Sequence, residues 1–208
     1  SHRCHDNLVL ANDGTGHFRD VSAEVGLRDH RGCSFLTVAV DIDDDLDLDL
    51  VTVDDFGAFI GDPDLDGGAA RPSGIELWEA GERGPEGLPI YREVAHERGL
   101  FVPLYGMGVV VEDLDQNGHL DLFATTIGEP LMFERGADGR FTEVGLSRGL
   151  ALRFAADRNL VTWMVRATDV DRDGRLDLLA ASGSLSAADF IGNGGDMQPL
   201  WVRQISDD

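Results

Sequence analysis

Asp113-Leu-Asp-Gln-Asn-Gly-His-Leu-Asp121-Leu122 puts oxygen-bearing side chains at positions 1, 3, 5 and 9 of a ten-residue stretch. The chain repeats it as Asp169-Val-Asp-Arg-Asp-Gly-Arg-Leu-Asp177-Leu178 and, with one departure, as Asp41-Ile-Asp-Asp-Asp-Leu-Asp-Leu-Asp49-Leu50. Spacing of this kind gathers several carboxylates into one tight turn, where their repulsion is severe unless a cation sits among them. Calcium takes six to eight oxygen ligands and tolerates irregular geometry, so it is the natural occupant. Three such stretches in one chain mean a repeat architecture.

Each acidic stretch lies between two apolar runs. Before it come Cys33 to Val40, Gly106 to Val111 and Leu160 to Ala167, rich in valine and suited to buried inner strands. After it come Leu48 to Val53, Leu120 to Thr125 and Leu176 to Ala181. Weaker outer strands are expected at Asn7 to Ala11, Ile75 to Glu79 and Leu131 to Glu134. A second motif then closes the unit, running Phe18-Arg-Asp20-Val21 to Gly26-Leu27, Tyr91-Arg-Glu93-Val94 to Gly99-Leu100 and Phe141-Thr-Glu143-Val144 to Gly149-Leu150. Four short strands per unit, with the acidic turn between the first and second, describe the blades of an all-β propeller.

The EF-hand is the competing calcium loop, but it needs a bidentate glutamate at position 12 and a helix on either side. Thr52, Ala124 and Ala180 hold that position here, and the flanks read as strands.

The D-x-D-x-D-G-x-x-D-L stretches resemble the FG-GAP or VCBS repeats of integrin α-type propellers. The F-x-D-V-x-x-x-x-G-L motif, Tyr105-Gly-Met-Gly108 and Trp163 look more narrowly like the cartilage acidic protein (ASPIC/UnbV-type) family. The resemblance spans most of residues 7 to 182. It implies two to three structural Ca²⁺ ions held by side chains at positions 1, 3, 5 and 9 and the carbonyl at position 7. Those ligands are Asp113, Asp115, Asn117, Asp121 and the His119 carbonyl, then Asp169, Asp171, Asp173, Asp177 and the Arg175 carbonyl. The first stretch offers Asp41, Asp43, Asp45, Asp49 and the Asp47 carbonyl. It departs from the pattern at Leu46, where glycine is usual and a left-handed backbone is expected, at a cost of roughly 1–2 kcal/mol. Asp44 and Asp47 add carboxylates that offset this electrostatically, or the stretch binds weakly or not at all. A further run, Asp62-Pro-Asp64-Leu-Asp66-Gly67, reads as an ordinary surface loop, with an extra cation site as the alternative.

On this reading the 208 residues are a single propeller region, with blades at about 33–94, 106–144 and 161–203. Residues 7–21 supply the outer strands of a further blade. Three and a half blades cannot close a ring of the usual four to eight. The remaining blades of a longer propeller, or a second chain, are therefore needed as partners. Ligands of propellers like these meet the face opposite the calcium loops, where His30, Phe56, Phe59, Tyr105, Arg153, Phe154 and Arg158 are candidates for a recognition surface. Trp78, Trp163 and Trp201 are assigned to packing.

Composition narrows the function. The net charge of −22 argues against nucleic acid and anionic membranes, both of which need basic patches. All 17 basic residues are arginine, which removes Schiff-base and P-loop chemistry. No G-x-S-x-G, H-E-x-x-H or dinucleotide fingerprint is present. No stretch approaches the roughly 18 apolar residues of a membrane span, and no signal peptide is visible at the start. Weakly binding calcium modules suit a secreted or periplasmic setting. Cys4 and Cys33 are open to a disulfide or to two buried thiols. The expectation is a binding module for a protein or glycan. The alternative is a lyase- or cyclase-type propeller enzyme, with His30 and Asp55 as the acid–base pair.

Overall fold

The computed structural model describes residues 6–28, 33–55, 74–150, 160–184 and 198–202. The alternating and valine-rich runs form antiparallel strands that meander in chain order. Strands β1 (Leu10–Asn12) and β2 (Phe18–Asp20) make a two-stranded sheet. A four-stranded sheet follows, built from β3 (Ser34–Val40), β4 (Asp49–Asp54), β5 (Ile75–Arg83) and β6 (Pro89–Glu93). The next holds β7 (Gly106–Glu112), β8 (Asp121–Thr126), β9 (Leu131–Arg135) and β10 (Phe141–Glu143). The last has β11 (Leu160–Thr168), β12 (Asp177–Ser184) and β13 (Gln198–Val202). A one-turn helix, α1 (Ala95–Arg98), follows β6. None of the described residues belongs to a helix long and apolar enough to cross a membrane.

The sheets stack face to face through their first strands, β3 against β7 and β7 against β11. Val51, Val53 and Leu77 of one sheet meet Val109, Leu122 and Phe133 of the next. The other face of that second sheet buries Phe123 and Met132 against Val165, Leu178 and Ala180. Phe123 and Phe133 are almost wholly buried; each such side chain contributes about 1.5–3 kcal/mol by leaving water. A third cluster, with Val21, Val25, Leu27 and Trp78, seats the segment after β2 on the outer side of the β3–β6 sheet.

The valine of the closing motif ends each unit in the same way. The N–H groups of Val21, Val94 and Val144 donate to the carbonyls of Val9, Leu77 and Met132 at 2.9, 2.8 and 2.8 Å. The motif's leucines Leu27, Leu100 and Leu150 are all buried. Gly99 takes a left-handed φ of 88°, and a Cβ there would lie 2.6 Å from the Phe141 carbonyl oxygen. Only glycine fits both demands.

One expectation changes. The run expected as a buried inner strand at 33–40 is half-buried on one face and exposed on the other, with Phe35 52% exposed. The cause is that the two-stranded sheet places no first strand over β3. The β2 strand is exposed along its whole length.

Candidate metal centres

The three acidic stretches are the β3–β4, β7–β8 and β11–β12 turns, and they share one hydrogen-bond pattern. The position-5 N–H donates to the position-1 carboxylate: Asp45 to Asp41 at 3.1 Å, Asn117 to Asp113 at 3.0 Å and Asp173 to Asp169 at 3.1 Å. The position-6 N–H reaches the other oxygen of the same carboxylate, from Leu46 at 3.0 Å and from Gly118 and Gly174 at 2.9 Å. The position-7 N–H donates back to position 5, from Asp47, His119 and Arg175. Each turn holds positions 4 and 6 at positive φ: Asp44 and Leu46, Gln116 and Gly118, Arg172 and Gly174. Leu46 thus has the left-handed backbone expected of it, at φ 73°, with its side chain 90% exposed.

This folding brings carboxylate oxygens together. Asp41, Asp43 and Asp45 offer oxygens within 4.8 Å of one another, as do Asp113, Asp115 and Asp121, and Asp169, Asp171 and Asp177. In the first turn, Asp43 Oδ1 is buried and has no hydrogen-bond partner. Burial, then repulsion from Asp45, Glu79 and Asp41, pushes the Asp43 carboxyl up from the usual range. An orphaned carboxylate oxygen among like charges lacks a positive partner, so the donor set fits a hard divalent cation such as Ca²⁺. When bound, the ion would supply charge neutralisation and crosslinking of the turn.

Position 9 does more than its spacing announces. Asp49, Asp121 and Asp177 are buried, and one oxygen of each accepts the position-2 N–H, from Ile42, Leu114 and Val170 at 3.0, 3.0 and 3.1 Å. The second oxygen of Asp49 accepts Ala80 N–H at 2.7 Å, and that of Asp121 accepts Arg135 N–H at 3.0 Å. The turn is thereby tied to the third strand of its own sheet. Burial is the main cause of the raised pKa of Asp49 and Asp121, and these backbone bonds act against it.

The remaining expected ligands have other contacts as well. The Asp47 side chain pairs with Arg83. Asp173 pairs with Arg175 at 2.6 Å. Asn117 Nδ2 bonds Asp115 at 3.2 Å. Contacts from outside the motif could not be read from its spacing: Tyr91 donates its hydroxyl to the Leu48 carbonyl at 3.2 Å, and Gln116 Nε2 reaches the Gly174 carbonyl of the next turn at 2.5 Å. Glu79, whose charge acts on Asp43, lies on β5 and is held by Arg98.

Of the candidate recognition residues, Tyr105 is half-buried, while His30, Phe56, Phe59, Arg153, Phe154 and Arg158 lie outside the described residues. So does the Asp62–Gly67 run, and so do the side chain of Trp201 and the His30 partner that Asp55 would need for acid–base work. Phe101, which the sequence did not single out as a recognition residue, is 49% exposed and meets His96 edge-on at a centroid distance of 5.2 Å. Trp78 is buried, as a packing residue should be. Cys33 is disulfide-bonded; the chain's other cysteine, Cys4, lies outside the described residues.

Comparison with curated proteins gives no match. Residues 113–180, from the first aspartate of the second turn into β12, match the family model of the FG-GAP-like repeat.

Proposed function

We propose that the sheets are blades of a calcium-stabilised β-propeller, and that the chain serves as a binding module presenting a loop face to a protein or glycan. The observation that carries this is the shared turn: three acidic turns, matched bond for bond, each at the same strand junction of a stacked sheet. Asp41, Asp43, Asp45, Asp49 and the Asp47 carbonyl would hold one ion. Asp113, Asp115, Asn117, Asp121 and the His119 carbonyl would hold a second, and Asp169, Asp171, Asp173, Asp177 and the Arg175 carbonyl a third. In this reading the ions are structural, since the turns cluster at one end of the strands and bind only the folded form. The ligand face is at the other end, near Tyr105 and Phe101. The bonded Cys33 favours an oxidising compartment, so a secreted or periplasmic setting is part of the proposal. Additional blades, from a longer polypeptide or a second chain, would complete the ring.

Calorimetric titration of chelator-stripped protein tests the metal reading, with two to three bound Ca²⁺ ions expected and none overturning it. Protein and glycan arrays probed with the calcium-loaded chain test the binding reading. Hits that weaken in a Phe101→Ser variant support the proposed face, and an array without hits rejects it.

A further inference from the structure

The internal repeats allow the exposed edge of β1 to be compared with two covered ones. The shared valine bonds put Leu10, Trp78 and Phe133 in one structural position, each paired with an acidic residue of the fourth strand: Asp20, Glu93 and Glu143. Trp78 and Phe133 are 7% and 1% exposed; Leu10 is 53% exposed. The difference lies in the second strand. Trp78 pairs with Leu50 of β4, and Phe133 with Leu122 of β8.

The β1 backbone is set up for the same pairing. Val21 donates to Val9 and Asp13 to His17 across the β1–β2 pair. Antiparallel strands alternate bonded and non-bonded positions, so the Leu10 and Asn12 N–H groups point away from β2, along the open edge. Asn12 is the counterpart of Ala80 and Arg135. Those two residues donate their N–H groups to the ninth-position aspartates of the acidic turns.

A second surface faces the same side. Counting back from the first aspartate of each turn, Phe35, Thr37 and Ala39 of β3 correspond to Met107, Val109 and Val111 of β7. The β7 residues are 3%, 5% and 7% exposed, with Val109 and Val111 packed against the preceding sheet. The β3 residues are exposed.

We propose that the β1 edge and the exposed face of β3 together receive a β-hairpin of the β3–β4 type. Its turn is acidic, D-x-D-x-[DN]-G-x-L-D, and its ninth-position carboxylate accepts the Asn12 N–H. The argument rests on reading the sheets as blades. Complementarity follows from an established interface, because the same molecule already makes this junction between β4 and β5 and again between β8 and β9. A carboxylate meeting a backbone donor adds charge matching. The apolar part of the junction is supplied by Leu10 and Phe35, both about half exposed.

The test titrates the isotope-labelled, calcium-loaded chain with a synthetic peptide spanning residues 106–126 of this sequence. Saturable binding should protect the Leu10 and Asn12 amides from hydrogen exchange and shift the Phe35 resonances. Leu10→Pro removes one edge donor without touching the β1–β2 bonds and should weaken binding about fivefold or more. Phe35→Asp, which leaves β1 intact, should do likewise. Unprotected Leu10 and Asn12 amides at millimolar peptide overturn the proposal. So does a concentration-dependent dimer that protects them without peptide, since a second copy would then be the occupant. The two readings fail separately. Melting that ignores chelator while these amides become protected sinks the calcium clamp alone, and the reverse result sinks the docking alone.

Discussion

Asp49 accepts the Ala80 N–H at 2.7 Å across 31 residues of chain, joining an acidic turn to the third strand of its sheet. Asp121 and Arg135 repeat the relationship at 3.0 Å. The ninth aspartate is therefore a strut as well as a candidate ligand, and the two roles can be separated by experiment.

Asp121→Ala leaves the buried N–H groups of Leu114 and Arg135 without their acceptor. A loss of about 1–3 kcal/mol is expected in urea unfolding, and it should persist in EGTA. A variant destabilised only in calcium would show that coordination is the whole of this residue's role.

Leu46→Gly should stabilise the protein by up to about 1 kcal/mol. The left-handed φ of 73° costs a side chain about 1–2 kcal/mol, and glycine's greater freedom in the unfolded chain returns part of that gain. The side chain is 90% exposed, so almost no packing is lost. Thermal melts of the two proteins in EGTA provide the check.

Gly99→Ala and Gly149→Ala should differ although both glycines have positive φ. A Cβ at Gly99 would sit 2.6 Å from a backbone oxygen, whereas at Gly149 nothing lies within 4 Å. The second substitution should cost about 1 kcal/mol and the first clearly more, since backbone must move. Equal losses in chemical denaturation would contradict this packing.

Calcium and protons should compete. Asp43, Asp49 and Asp121 have folded-state pKa values above their unfolded ones, mainly through burial. Ionising each therefore costs the ion-free fold stability relative to its protonated form, and that cost shrinks as pH falls through the raised folded value and is gone below the unfolded one. A bound cation favours the ionised form. The rise in Tm on adding Ca²⁺ should thus be largest near neutral pH, shrink on acidification and be lost by about pH 4. A calcium increment that is constant between pH 7 and pH 4 would count against binding at these carboxylates.

Much of this architecture could be read from spacing. The alternation of acidic residues located all three turns, and the valine-rich runs on either side located β3, β4, β7, β8, β11 and β12 to within a residue or two, apart from the C-terminal end of β12. The left-handed backbone at Leu46 followed from the glycines in the sister turns. Other features could not be read this way, because they depend on contacts between distant segments. Nothing in the motif says that position 9 reaches Ala80 or Arg135, that Tyr91 caps the Leu48 carbonyl, or that Gln116 touches Gly174. The left-handed φ at Asp44, Gln116 and Arg172 was equally hidden, since no glycine marks that position. The exposure of Phe35 was missed because its strand carries the same valine pattern as β7, and burial depends on the neighbour as much as on the strand.

The middle strand β8 is buried at every residue, while the flanking first strands expose alternate side chains: Phe35, Thr37 and Ala39 on β3, and Met164, Arg166 and Thr168 on β11. Amide exchange should accordingly be slowest in β8 and quicken toward both ends of the stack, so that the molecule frays from its flanks before its centre opens. Forces or proteases acting on such a particle would remove the terminal layers first and leave residues 106–143 as the last ordered remnant.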